Sequence, residues 1–235
     1  MIRRCARILF TPLLVLLLIS AAAPAFAKLV VNKNIVVIGT DGRPRADIEL
    51  RNIGDDVLYV AVDPARIENP GTDTQDRVAP SDPRELGLLV TPRKLVLQPG
   101  DRKIIRMTLL KQPQLVDDVY RVLVEPKASD FDADTDGMKI KIMVGYDILV
   151  LATPRTPSSN LKVERDGAVL RIQNDGNSNA LLYDGQQCDE TLETCKQLPV
   201  KRIYAGTRFE MPLPYENTPA RFLMLDARGS QAIEY

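Results

Sequence analysis

The chain has 235 residues, balanced at 31 basic and 31 acidic, with no histidine and no tryptophan. Without imidazole there is no Ser-His or Cys-His catalytic pair and no histidine metal ligand. Zero formal net charge argues against a nucleic-acid binder that works by bulk phosphate neutralisation. A 45% hydrophobic and 26% charged composition is that of a folded globular protein, and seventeen prolines lean it toward β-structure and turns.

Residues 1–27 read as a secretory signal peptide. Arg3, Arg4 and Arg7 form a basic start, Ile8 to Ala21 is almost entirely apolar, and Ala25-Phe26-Ala27 is a small-x-small site with cleavage after Ala27. The apolar core is short for an uncleaved membrane anchor. Losing the leader's three arginines leaves 28 basic residues against 31 acidic, and losing Cys5 leaves only Cys188 and Cys195. One close cysteine pair in an exported chain suggests a disulfide.

Short apolar or alternating runs follow, divided by turn residues. Leu29–Ile38 is one run, ended by Gly39-Thr40-Asp41-Gly42; Arg45–Arg51 alternates and turns at Asn52-Ile53-Gly54-Asp55. Val57–Val62 is the third, and Asn69 to Arg84 reads as a loop. Leu88–Leu97, Lys103–Leu109 and Val119–Val124 come next, then an acidic loop from Asp130 to Gly137 and the long run Met138–Ala152. About seven strands in roughly 125 residues is the size of an immunoglobulin-like sandwich. The fold class is therefore all-β, with an N-terminal domain at 28–154, a proline-stiffened linker at 155–160 and a small C-terminal β-sandwich at 161–235.

No catalytic constellation emerges. Asp132, Asp134 and Asp136 invite a calcium reading, but the EF-hand pattern needs Glu six residues after Gly137, where Met143 stands. A zinc site would lack ligands. Neither a metal nor a cofactor is called for, and an enzyme built on a carboxylate pair is the minority reading.

The order of landmarks resembles the PapD-like periplasmic chaperones of the chaperone–usher pathway, which assemble pili and fimbriae. The resemblance is carried by Asp47-Ile48-Glu49-Leu50-Arg51-Asn52; by Leu89-Val90-Thr91-Pro92 with Leu97-Gln98-Pro99-Gly100 and Ile104-Ile105-Arg106-Met107; by Val119-Tyr120-Arg121-Val122; by Ile140 to Pro154; and by Ile172-Gln173-Asn174-Asp175-Gly176-Asn177. The Cys188…Cys195 pair, with Leu198-Pro199 and Tyr204-Ala205-Gly206, is similar to the alternate branch that includes the common-pilus (Ecp-type) chaperones.

The resemblance implies two immunoglobulin-like domains in an angled, boomerang arrangement, and no enzymatic activity. It implies a periplasmic protein whose partners are pilus subunits and an outer-membrane usher, with self-association when free. It further implies donor-strand complementation, in which the chaperone lends its seventh strand to an incomplete pilin. The matched positions are Ile140, Ile142 and Val144, with Met138 and Tyr146 as outer members. Pattern alone leaves open that the first three fill the protein's own core. The family's usual basic pair for the pilin's terminal carboxylate has no full counterpart here, because no basic residue lies between Lys141 and Arg155. Arg121 is the substitute candidate, with Arg106 and Lys33 behind it; a surface pairing of Arg121 with a nearby acid is the competing reading. An exported immunoglobulin-like binding or adhesion module that keeps its strands to itself is the alternative function.

Overall fold

The computed structural model describes residues 29–39, 42–111, 113, 115–127 and 143–235. The leader, the Asp132–Asp136 run and the candidates Met138, Ile140 and Ile142 lie outside the described residues.

Two β-sandwiches follow one another along the chain. In the first, β1 (Leu29–Val31), β3 (Arg45–Asn52), β8 (Arg102–Leu109) and β6 (Leu88–Thr91) form one sheet in the order β1-β3-β8-β6. The facing sheet runs β2 (Ile35–Ile38), β10 (Tyr146–Ala152), β9 (Asp118–Lys127), β4 (Leu58–Glu68), β5 (Asp76–Val78), with β7 (Lys94–Leu97) also pairing with β4. A four-residue helix α1 (Pro83–Leu86) is capped by the Asp82 carboxylate, which accepts from the Arg84 amide at 2.8 Å, and ends at left-handed Gly87. Alternate residues from both sheets, among them Ile48, Leu50, Val62, Ile105, Met107, Tyr120, Val122, Ile148 and Val150, close a hydrophobic core.

Several expectations change: the run Leu88–Leu97 is two strands, β6 and β7, in facing sheets, and the loop expected from Asn69 to Arg84 carries β5 and the start of α1. The run Leu29–Ile38 is two strands in different sheets: β1 pairs antiparallel with β3, and β2 pairs parallel with β10. The switch falls at Asn32-Lys33-Asn34, where the Asn32 amide donates to the Glu49 carbonyl and its side chain accepts from the Glu49 amide at 2.9 Å. Those bonds end the first pairing and free the chain to cross. The third run extends to Glu68 through Pro64. Proline is tolerated there because β7 pairs only up to Ala61 and β5 only from Arg66, so no ladder needs its missing N–H on that side.

The second sandwich sets β11 (Leu161–Asp166), β12 (Val169–Asn174) and β16 (Arg208–Pro212) against β14 (Cys195–Leu198), β13 (Ala180–Cys188), β17 (Ala220–Asp226) and β18 (Gly229–Glu234), with β15 (Lys201–Ile203) on β13. Its core gathers Leu170, Ile172, Leu182, Met211, Phe222 and Met224. The expected disulfide is present: Cys188 and Cys195 face each other across β13 and β14, with Cα atoms 3.9 Å apart. Arg165 ties this smaller sandwich together. Its guanidinium donates to the carbonyls of Gly167, Tyr215, Glu216, Thr218 and Tyr235.

Between the sandwiches the linker is stitched down. The Asn177 amide donates to the Ser158 carbonyl, its side-chain oxygen accepts from the Ser158 amide at 2.7 Å, and its Nδ2 donates to the Thr156 carbonyl. Gly176 lies directly beneath, where a Cβ would come within 2.3 Å of the Ser158 carbonyl oxygen. Two prolines account for only part of the stiffness; this turn supplies the rest.

Candidate functional site

Strand alternation sends every second residue of β2, β9 and β10 outward, toward the second sandwich. Ile67, Val119, Leu149 and Leu151 on that outer face form a small buried cluster, and Tyr204 from the second sandwich packs on it. Beside them Ile35 and Val37 remain 50% and 47% exposed. These two, with Leu151, Leu181 and Leu225, wall a cleft of about 460 Å³ between the sandwiches, and Arg202, Asn179 and Asp226 contribute its polar groups.

Arg202 is the unusual member. Burial pushes its guanidinium below the ordinary arginine range, with Tyr204 and Asp117 pulling the other way. Its side chain donates to the Asn179 side-chain oxygen Oδ1, and among the described residues no carboxylate pairs with it directly. Asp117 stands one residue behind. One of its oxygens, Oδ2, accepts from the Asn179 amide at 2.7 Å, from Asn179 Nδ2 at 2.5 Å and from the Ser178 hydroxyl at 3.0 Å. Its other oxygen is buried with no partner. Burial raises the Asp117 carboxyl above the usual carboxylate range against those bonds and Arg202.

The sequence candidates are dispersed. Arg121 does face the cleft side, opposite buried Tyr120 and Val122. It is partly engaged there: it donates to the Asp147 carbonyl at 3.1 Å and lies 4.0 Å from the Asp147 carboxylate, which Arg77 also holds at 3.2 Å. Arg106 is on the other sheet, in a two-bond pair with Asp47 at 2.8 and 2.7 Å that lowers the Asp47 carboxyl. It does not reach the cleft, because β8 belongs to the far layer. Lys33 sits exposed in the bend between β1 and β2. Sequence reasoning misses Arg202 because nothing local marks it; its burial arises only where the two sandwiches meet.

Of the expected donor positions, two are described. Val144 precedes β10 and is 44% exposed. Tyr146 opens β10 and packs onto its own sandwich, its hydroxyl donating to the Leu29 carbonyl at 2.9 Å. The strand within the expected Met138–Ala152 run is thus Tyr146–Ala152 among the described residues. It is paired on one side by β9 throughout, but by β2 only from Leu149 onward. Among the described residues, no strand pairs with Tyr146 to Ile148 on the β2 side.

Among the described residues no group of three His, Cys, Asp or Glu could hold a metal ion.

No family model matches the chain. It is 29% identical over 165 residues to a CS1 fimbrial subunit of Escherichia coli, covering 66% of this chain and 68% of that protein. It is 28% identical over 183 residues to a CFA/I fimbrial subunit of Escherichia coli, covering 74% and 76%. Among solved structures it is similar to the class 5 fimbriae chaperone CfaA, with a TM-score of 0.62 at 21% identity over 88% of this chain and 98% of that one. The SafB chaperone, solved with the Salmonella enterica SafA pilin, superposes with a TM-score of 0.63 at 12% identity over 91% and 98%. Sheet order, the stitched linker and these superpositions lead to one conclusion: the chain has the two-sandwich fold of the PapD-like fimbrial chaperones.

Proposed function

We propose that the protein is a periplasmic, non-enzymatic chaperone that captures fimbrial subunits, completes them with its own strand and passes them to an outer-membrane usher. The observation that carries this reading is that, among the described residues, the edge of β10 at Tyr146–Ile148 has no strand on its β2 side, while Leu151 farther along the same strand walls an apolar cleft. An unpaired edge next to exposed isoleucine and valine is an aggregation hazard unless a partner covers it. Strand addition answers both needs, with main-chain bonds to the edge and side chains into a groove. The fold's likeness to fimbrial chaperones supports the same reading.

The lent residues are Met138, Ile140, Ile142 and Val144; Tyr146 is committed to its own sandwich. The carboxylate at the pilin's chain end is held in the cleft by Arg202, with Arg121 at its side. A half-buried guanidinium with no carboxylate partner among the described residues is suited to a two-bond grip on a carboxylate.

The test is co-expression with a fimbrial pilin encoded beside this chain. Wild type should co-purify with it from the periplasm, and the double variant Ile140→Asp/Ile142→Asp should fold yet lose it. An intact complex with the double variant would refute strand donation by this segment and favour a binding module that keeps its strands.

A further inference from the structure

The cleft's guanidinium is held in place by a relay from a residue that does not itself line the cleft. Asn179 is the middle of it. Its Nδ2 and backbone amide both donate to Asp117, which fixes the amide so that its oxygen faces Arg202. Asp117 cannot turn away, since its backbone amide donates to the Asn177 carbonyl at 3.0 Å and Ser178 holds the same oxygen, Oδ2. All three side-chain bonds fall on that oxygen, and the buried, unpartnered Oδ1 is left as the place where a proton would settle.

We propose that Asp117 is a positioning residue for anion capture. Through Asn179 it aims Arg202 into the cleft, and its charge state sets how strongly Arg202 attracts a carboxylate. This rests on the chain-end anchor proposed above. The ionised Asp117 is a counter-charge that partly satisfies Arg202, and a protonated Asp117 leaves the guanidinium's field to the ligand. Four other charged or titratable groups bear on this pair. Tyr204 is raised by burial and stays neutral near pH 7, and Arg121 adds positive charge from β9. Asp118 lies next to Asp117 in the chain and the two carboxylates repel, while Arg66 and Lys111 balance the Asp118 charge. Asp226, at the cleft wall, is pushed up by burial, but the bonds from Arg228 and Ser159 outweigh that push and keep it ionised. Burial raises Asp117 itself, so its neutralisation begins at milder acidity than for a free aspartate.

The experiment titrates the mature protein with an N-acetylated, valine-rich heptapeptide bearing a free terminal carboxylate, and with its terminal amide, by calorimetry from pH 8 to pH 5. In wild type the free acid should bind better than the amide, and the preference should grow as pH falls, by about fivefold across the range. Asp117→Asn keeps the acceptor and removes the charge, so it should show the stronger preference at every pH. Asn179→Ala, which leaves Asp117 bonded to Ser178 and the residue 179 amide, should lose the preference. If Asp117→Asn follows the wild-type pH profile, or weakens both peptides equally, the positioning role is wrong while the anchor stands. If wild type never distinguishes acid from amide, the anchor and the proposal fall together.

Discussion

Asn52 and Asn174 occupy the same place in the two sandwiches and make the same bonds. Asn52 Nδ2 donates to the carbonyls of Asp56 and Leu97 while its Oδ1 accepts from the Gly54 amide. Asn174 Nδ2 donates to the carbonyls of Ser178 and Ile203 while its Oδ1 accepts from the Gly176 amide. Even the backbone repeats: the Gly100 amide donates to the Asn52 carbonyl and the Gly206 amide to that of Asn174. Both side chains are fully buried. Each staples a turn after one strand to the end of a strand in the facing layer.

Replacing either asparagine by alanine should cost about 1–3 kcal/mol, because buried carbonyls lose their donor, Leu97 in the first case and Ser178 and Ile203 in the second. Urea denaturation followed by circular dichroism measures it. The Asn174→Ala variant should also loosen the linker, since Asn174 Oδ1 accepts from the Asn160 amide at 3.1 Å and Asn52 has no such link.

Gly176→Ala should be among the most damaging small substitutions. The added methyl would meet backbone, not a side-chain tip, at Ser158 and Asn160. Small-angle scattering should report a changed angle between the sandwiches, and the melting temperature should fall.

Arg165→Lys should not rescue Arg165→Ala. The guanidinium reaches five carbonyls, and a single ammonium has neither the fork nor the reach. Both variants should lose roughly 2 kcal/mol or more. Reducing Cys188–Cys195, seven residues apart, should cost roughly 2–3 kcal/mol by chain-entropy reasoning. Both losses should appear as lowered thermal midpoints.

Asp118 gives a pH test. Burial raises its carboxyl above the usual aspartate range, with Arg66 opposing. The folded state therefore holds the proton more tightly than the unfolded chain does. Its favourable contribution is complete below about pH 3.9, the ordinary aspartate value, and fades as pH rises through the raised one. Asp118→Asn should stabilise the protein at about pH 7 and lose that advantage near about pH 3.5, read by urea midpoints at the two pH values.

Much of this is legible in the residues. Asn52-Ile53-Gly54 and Asn174-Asp175-Gly176 announce turns, alternation places Arg121 opposite Tyr120, and two closely spaced cysteines after a leader-like start point to their bond. What escapes depends on partners remote in sequence. Arg106 looks like Arg121 in its local pattern, and only the assignment of β8 to the far sheet, against Asp47, separates them. Leu29–Ile38 reads as one strand because the break at Asn32 comes from a bond to Glu49, seventeen residues away. Arg202 lies on a three-residue strand whose pattern says nothing of a neighbouring domain.

The stitched linker has an energetic meaning for any guest. Because Asn177 and Gly176 already fix the mutual orientation of the two halves, a visitor to the crevice finds its walls in place. Little rotational freedom of the host is left to be lost on association, so the entropy of docking falls on the visitor's side.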